Sequence, residues 1–310
     1  MKLLLSTSNI LTAGSPVHRT KSGSNTEFVD FLQANFVSRA EAIVETGNGL
    51  NDNQIYQKWT RHKGDVLEIP ALDLTSSGLR EASENYDITV KLFYLPDVSL
   101  AQREVHTRDA LQLVLRELHV SSVNLLIVSF SGVFFDEGED CPGKLSTRGP
   151  VEAQAEPIEV QIETWRVLES LHDEGLVKKL GIAELGHDRL LEFLQRTRIP
   201  PAVDQINLRY CCSVPPSLMN LAKSRNVELL VHNDTSNILP RGTVRELLGP
   251  SGANILAEHD QGDAHGHRTA NAGMKGEVLP LWVVKYTAVV SNRGVVENKG
   301  YFAEAELLPT

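Results

Sequence analysis

The sequence predicts an α/β protein built on a parallel sheet, most simply a closed (β/α)8 barrel of the TIM type. From about Asp87 onward, short runs rich in β-branched residues alternate with helical periods of apolar residues. The chain has 310 residues, which suits one barrel of roughly 250 residues or more. We therefore expect a single domain over residues 1–310, with an irregular N-terminal part. An open, doubly wound sheet is the alternative.

The first third of the chain is the least regular. Met1–Ser6 is a short apolar run, which fits a first strand better than a signal peptide. Helical stretches are indicated around Glu27–Ala34 and Asn53–Trp59. Few strands are recognisable between residues 13 and 83.

Strands and helices alternate clearly in the middle of the chain. The expected strands are Ile88–Phe93, Val123–Phe130, Lys178–Glu184, Val203–Leu208 and a run that ends at His232. The expected helices between them are marked by the apolar faces of Ala110–Leu118, Ile162–Leu171 and His187–Thr197, and Gly175 suits the position just after the second of these. Such short strands separated by helices imply parallel pairing.

The C-terminal third departs from this alternation. Leu281–Thr287 is interpreted as a last helix and Ala288–Ser291 as a last strand. Residues 136–157 are acidic and contain proline and glycine, so we expect a surface loop there. Residues 251–276 are rich in Gly, Ala, Asp and His without periodicity, which predicts a flexible loop.

Composition excludes several classes of function. The net charge of −10 argues against nucleic acid or an anionic membrane as a partner. No run approaches the roughly 20 apolar residues needed to span a bilayer. Three cysteines, two of them adjacent, do not form a disulfide framework. We expect a cytoplasmic protein.

The most distinctive residues lie where predicted parallel strands end, which is where the sites of such barrels form. They are Cys211 and Cys212 after one strand, and His232, Asn233 and Asp234 after the next. The cysteines are either a redox-sensitive pair or two small apolar residues. His232, Asn233 and Asp234 could form a metal site, an acid–base site or a hydrogen-bonded network. We favour the network, because adjacent strand residues point to opposite faces.

Several of these motifs resemble a known family. Thr164–Glu169 followed by Glu174–Ile182, and then Pro201–Leu208, resemble consecutive passages of aldo-keto reductases. Within that superfamily the chain is more similar to the regulatory (modifier, or light) subunits of glutamate–cysteine ligase. The residues that carry this similarity are Val90–Phe93, Cys211-Cys212 with Pro215-Pro216, His232–Asp234, Pro280–Trp282, Ser291–Gly294 and Lys299–Tyr301.

The resemblance implies a barrel of the aldo-keto reductase kind in a non-enzymatic role. Such a subunit forms a heterodimer with the catalytic (heavy) subunit of glutamate–cysteine ligase. The pairing improves the use of glutamate and relieves feedback inhibition by glutathione in the first step of glutathione synthesis.

The residues expected of a reductase are incomplete. The family's proton donor is a tyrosine whose pKa of about 10 is lowered by a neighbouring lysine. Lys91 stands at the lysine position, but Ser129 stands where a histidine is expected. Tyr56 is the one candidate for the tyrosine, and Asp52 precedes it at a spacing one residue short. We therefore interpret Lys91 as a catalytic remnant with a structural or solvent-facing role.

The cofactor positions lead to the same interpretation. The Ser-Asn pair that holds a nicotinamide in reductases corresponds here to Ala183 and Glu184, and neither offers the donor that the amide carbonyl needs. Gln205, His232 and Arg293 are remnants of cofactor-binding positions. We expect no bound cofactor and no metal.

Two other functions remain open. One is an active NADPH-dependent carbonyl reductase that uses Lys91 and Tyr56. The other is a module that binds NADPH without turnover. For the regulatory reading, the expected partner-binding residues are Cys211, Cys212, His232, Asn233, Asp234, Arg293, Lys299 and Tyr301, and a disulfide to the partner through either cysteine stays open.

Overall fold

Ten strands form one mixed sheet in the part of the chain that the computed structural model describes, which is residues 1–12, 24–45, 52–96, 98–135, 154–208, 213–234, 238–240, 242–257 and 273–309. The strands are β1 (Lys2–Ser6), β2 (Arg61–Lys63), β3 (Val66–Ile69), β4 (Tyr86–Tyr94), β5 (Val123–Ser129), β6 (Val177–Ala183), β7 (Val203–Ile206), β8 (Glu228–Val231), β9 (Glu277–Val290) and β10 (Val295–Leu308). The α-helices are α1 (Ser24–Glu45), α2 (Leu100–Leu118), α3 (Ile158–Asp173), α4 (His187–Arg196), α5 (Pro216–Arg225) and α6 (Thr243–Leu248). Two 3-10 helices span Asp52–Lys58 and Ser83–Asn85.

The strand order is β2-β3-β1-β10-β9-β4-β5-β6-β7-β8. From β4 to β8 every pair is parallel, and the helices α2, α3, α4 and α5 make the four crossovers in turn. β9 and β10 form an antiparallel hairpin that separates β4 from β1. The predicted α/β class with parallel strands is confirmed. Within the described residues the sheet is not closed, since its edge strands β2 and β8 are not paired with each other.

The predictions for the middle of the chain are confirmed with small shifts of the boundaries. The apolar face predicted for α2 is buried from Ala110 to Leu118. α3 ends as its sequence indicates: Gly175 has a φ of 75°, and its N–H donates to the carbonyl of His172 at 2.9 Å. Glycine adopts this left-handed conformation without steric cost, so it stops the helix and directs the chain into β6. The first strand and the N-terminal helix are also where the sequence places them.

The predicted helix at Leu281–Thr287 is wrong, because these residues lie within β9. The region is rich in β-branched and aromatic residues, which favour strands. From Val284 to Val290 the side chains alternate between buried and half-buried positions, the period of two that a strand shows. The last strand predicted at Ala288–Ser291 is the end of this longer one.

Each face of the sheet carries a separate apolar core. On one face Val90 and Leu92 of β4 pack with the inner sides of α2 to α5, including Trp165 of α3. On the other face Phe93 and Tyr301 pack with α1 and α6. Burial on both faces explains why β4, β5 and β9 are apolar almost throughout.

The two predicted loops lie partly outside the described residues. Of 136–157, only residues 154–157 are described, and of 251–276 the residues 258–272 are not. The described ends of the second segment pack together, because Leu256 forms a bridge with Met274 and Ile255 is buried. None of the helices in the described ranges has the length and apolar character needed to cross a membrane.

Truncation of Trp282 tests the placement of β9. Its side chain is fully buried in the core shared with α2 to α5, so Trp282→Ala should lower the free energy of unfolding by about 3–5 kcal/mol in urea titrations. Met219→Ala is the control, since Met219 on α5 is 46% exposed and its loss should cost less than about 0.5 kcal/mol. A loss for Trp282→Ala as small as that of the control would contradict the buried strand.

Candidate functional site

Two lysines face each other across the pairing of β4 and β9. Lys91 and Lys285 are partners in the strand register and lie on the face that is covered by α1 and α6. Like charges directly opposite each other in a sheet are destabilising. Asp234, just after β8, separates them: Lys91 Nζ donates to its Oδ2 at 3.0 Å, and Lys285 Nζ donates to its Oδ1 at 2.7 Å. One carboxylate thus bridges both ammonium groups.

His232 and Glu184 extend this arrangement towards the end of β6. The backbone N–H of Asp234 donates to His232 Nδ1 at 3.1 Å, so Nδ1 acts as an acceptor and the ring proton belongs on Nε2. Nε2 lies 2.7 Å from Glu184 Oε1. The other oxygen of Glu184 accepts the N–H of Phe135 at 2.9 Å. These contacts hold Glu184 although its φ is 69°, a conformation that glutamate rarely adopts.

A second carboxylate bridge continues the network into the N-terminal helix. Glu27 of α1 accepts hydrogen bonds from the Tyr301 hydroxyl at 2.6 Å and from Lys299 Nζ at 2.8 Å. Lys285 lies 5.9 Å from the centre of the Tyr301 ring, which brings the two bridges together. We call these residues the lysine network: Glu27, Lys91, Glu184, Gln205, His232, Asp234, Lys285, Lys299 and Tyr301. Its three lysines are matched by three carboxylates.

Electrostatics keep Asp234 ionised. Burial by itself would raise the pKa of Asp234, but the positive charges of Lys91 and Lys285 and their hydrogen bonds outweigh burial and lower that pKa below its usual range. Burial lowers the pKa of Lys91, and the charge of Asp234 opposes this shift only in part. The pKa of Glu27 is lowered: burial acts to raise it, and the hydrogen bonds from Lys299 and Tyr301 prevail.

The amine of Lys91 contacts three polar side chains. Lys91 is 4% exposed, and its Nζ contacts Gln205 Oε1 at 2.7 Å and His232 Nδ1 at 3.4 Å in addition to Asp234. Two of the three ammonium donors are directed at Gln205 and Asp234, and the third faces His232 Nδ1, which already accepts the N–H of Asp234. Among the described residues, no tyrosine hydroxyl contacts this amine. Tyr56, the predicted phenol, is buried in the core beneath α1.

The structure brings some of the predicted site residues together. Gln205, His232 and Asp234 all surround Lys91, so the remnant positions form one cluster at the carboxyl ends of the parallel strands. The side chains of His232 and Asp234 are 7% and 8% exposed. Lys91 is therefore buried and ion-paired, and the expectation of a solvent-facing lysine is wrong.

Other predicted site residues lie apart from this cluster. Arg293 is in the turn between β9 and β10, beside the start of β4, and its guanidinium pairs with Glu81. Asn233 is exposed, whereas Lys299 and Tyr301 are bound to Glu27. Cys211 and Cys212 lie outside the described residues. The set expected to contact a partner is thus not one continuous surface in the described chain.

The sequence analysis missed three ionisable residues, of which Asp204 is buried and Lys285 and Glu27 are half-buried. Lys285 could have been recognised from the sequence, because a lysine within an apolar run needs a partner of opposite charge when the run is buried. Glu27 had no such signal, because it meets its partner Lys299 only in the folded chain. Asp204 of β7 is fully buried, and burial raises its pKa well above the ordinary value. Asp204 Oδ1 accepts a long hydrogen bond from the N–H of Leu185 at 3.4 Å.

Replacement of Asp234 tests the network and its pH dependence. Asp234→Asn leaves the buried Lys91 and the half-buried Lys285 without their counter-ion and should cost about 3–5 kcal/mol of unfolding free energy at pH 7. Because the pKa of Asp234 is lowered by folding, its stabilisation is present above its unfolded pKa and is lost as the pH falls. The difference between the wild type and Asp234→Asn should therefore shrink progressively below about pH 4.

The matched control is Asp173→Asn, which removes a carboxylate from an exposed ion pair with Arg198. This change should cost at most about 1 kcal/mol. Urea unfolding at several pH values provides both comparisons. Equal stability of Asp234→Asn and the wild type at pH 7 would exclude a stabilising role for the carboxylate.

The chain is similar in sequence to subunits of a known enzyme. The human "Glutamate--cysteine ligase regulatory subunit" is 24% identical over 98% of this chain and 92% of its own length. A "Putative glutamate--cysteine ligase regulatory subunit" of Schizosaccharomyces pombe is 25% identical over 72% of each chain. The chain is thus similar to regulatory subunits of this ligase over nearly its whole length.

Solved aldo-keto reductases match a smaller part of the chain. Aldose reductase from Giardia lamblia is 24% identical, with a TM-score of 0.33 over 46% of this chain and 43% of the reductase. A superposition this partial does not establish a shared architecture by itself. The model of the aldo/keto reductase family matches residues 54–244, which is more than half of the sequence. The chain therefore belongs to the aldo/keto reductase family.

Proposed function

We propose that this chain is the regulatory subunit of a glutamate–cysteine ligase. It binds the catalytic subunit as a heterodimer, improves the use of glutamate and relieves inhibition by glutathione. The observation that carries the proposal is the similarity to the human regulatory subunit over 98% of the chain, which includes the segments on both sides of the matched reductase region.

The geometry around Lys91 supports a role without reductase chemistry. A reductase tyrosine needs a nearby lysine to stabilise its phenolate when it transfers a proton. Here Lys91 donates to Gln205 and Asp234 and its remaining side faces His232, so no phenol of the described residues lies within reach of its amine. Glu184 is engaged by Phe135 and His232, at the position that offers an amide in reductases.

The mechanism we propose is a difference in binding free energy. A protein that binds the active conformation of the catalytic subunit more tightly than the glutathione-inhibited one shifts the equilibrium between them. A coupling of about 1–3 kcal/mol changes an affinity by roughly 5–150-fold. By reciprocity, glutathione bound to the catalytic subunit weakens its affinity for this chain by the same factor.

The direct test is reconstitution with a glutamate–cysteine ligase catalytic subunit. The two chains should co-elute on size exclusion, and saturation with this chain should lower the KM for glutamate and raise the half-inhibitory concentration of glutathione, each by at least about fivefold. Initial rates of ATP-dependent γ-glutamylcysteine formation give both quantities. If the chains elute separately and the kinetic constants are unchanged, the proposal is wrong.

An active carbonyl reductase is the second candidate, because the reductase family model covers residues 54–244. We expect that purified protein does not oxidise NADPH with a panel of aldehydes, and that Tyr56→Phe stimulates the ligase as the wild type does. Absorbance at the NADPH band and the ligase assay measure the two activities on the same preparation. Aldehyde-dependent oxidation that is abolished by Tyr56→Phe would instead establish the reductase.

A further inference from the structure

An open cleft lies beside the turn between β9 and β10. Its volume is about 420 Å³. The turn is anchored to the segment before β4, where the N–H of Ser291 donates to the carbonyl of Asn85 at 2.8 Å. About 17 Å of strand, at roughly 3.3 Å per residue, separates Val290 at this end of β9 from Lys285 in the lysine network. We call this cleft the hairpin cleft. It lies away from the C-terminal ends of the parallel strands, where the lysine network lies.

Exposed aliphatic side chains line part of the hairpin cleft. Leu11, Val295 and Val296 line it and are 49%, 55% and 41% exposed. They are three of the nine large hydrophobic side chains that are exposed in the described ranges, so a third of these residues converge on one cleft. Contiguous apolar side chains rimmed by charges are typical of protein interaction sites.

A β-bulge shapes one wall of the cleft. The register of β10 against β9 shifts between Val296 and Asn298, which leaves Glu297 outside the ladder. Glu297 accepts a hydrogen bond from the hydroxyl of Tyr86, so its carboxylate is held against the sheet. Bulges bend a strand locally and redirect its side chains.

Arg80 is the least engaged charge at the rim. Its side chain is 77% exposed, and its contact within the described chain is from Nε to Glu297 Oε1 at 3.4 Å. The terminal nitrogens of Arg80 have no partner among the described residues. Arg293, by contrast, pairs closely with Glu81. A guanidinium with its planar end exposed binds a carboxylate through two parallel hydrogen bonds.

These features define the kind of partner that fits. A phosphate group carries a charge of about −1.5 to −2, so Glu81 and Glu297 in the lining would repel it more strongly than a single carboxylate. An aliphatic side chain next to a single carboxylate matches both the apolar wall and the exposed end of Arg80. We propose that the hairpin cleft docks a segment of the ligase catalytic subunit that places an aliphatic side chain on Val295, Val296 and Leu11 and an adjacent carboxylate on Arg80.

This inference rests on the proposed function, and one pair of double variants separates the two. Arg80→Glu with Val296→Asp changes two exposed cleft residues, whereas Arg225→Glu with Met219→Asp makes the same chemical changes on exposed residues of α5. Affinity for the catalytic subunit is measured by titration calorimetry. The cleft variant should raise Kd at least tenfold and the α5 variant less than twofold, with unchanged thermal unfolding for both.

A conservative change separates charge from geometry. Arg80→Lys keeps the positive charge but loses the planar pair of donors, so it should give a smaller rise in Kd than Arg80→Glu. If the wild type binds and stimulates the ligase while both cleft changes leave Kd unaltered, the docking site is refuted and the proposed function stands. If the wild type does not bind the catalytic subunit at all, both proposals fail.

Discussion

The fold depends in its interior on one contact, in which the carboxylate of Asp234 bridges the ammonium groups of Lys91 and Lys285. The antiparallel pairing of β4 and β9 brings Lys91 and Lys285 into direct register on a face where Lys91 is buried and Lys285 half-buried, so water screens their repulsion less than at an open surface. A single anion between them turns this repulsion into two charge-assisted hydrogen bonds. Because Asp234 follows β8, at the far end of the parallel strands, the same contact ties that end of the sheet to the C-terminal hairpin.

That arrangement changes the chemistry available to the lysine that the aldo/keto reductase fold provides. A lysine that lowers the pKa of a phenol needs one of its three donors directed at the hydroxyl, and the donors of Lys91 face other groups. Here the amine of Lys91 is buried and faces Gln205, His232 and Asp234, so the residue contributes an ion pair and hydrogen bonds to the interior. A lysine can therefore be kept at the position of Lys91 without serving as a partner of a catalytic phenol. This agrees with the regulatory role that we propose.

The sequence predicts the part of the fold in which structure is encoded locally. The helices and strands from Ile88 to Val231 follow from apolar periods, and the stop at Gly175 follows from the conformational freedom of glycine. The prediction for β9 was wrong, because the apolar spacing within Leu281–Thr287 also fits a helix. The β-branched composition favours a strand over a helix only once the pairing of β9 with β10 is known. The bridges by Glu27 and Asp234 were not predictable, since they join residues far apart in the chain through strand register. Cys211 and Cys212, distinctive in the sequence, lie outside the described residues.

The two ends of β9 have opposite physical characters. At Lys285 the strand enters a balanced network of charges whose partners are all supplied by the chain itself. At Val290 it leads to exposed valines and to Arg80, whose contact with Glu297 leaves the end of its side chain open. A partner that inserted into the lysine network would have to break ion pairs, and each uncompensated buried charge would cost several kcal/mol. A partner at the hairpin would desolvate apolar side chains and complete one ion pair without opening the interior, so the free energy of association favours the hairpin.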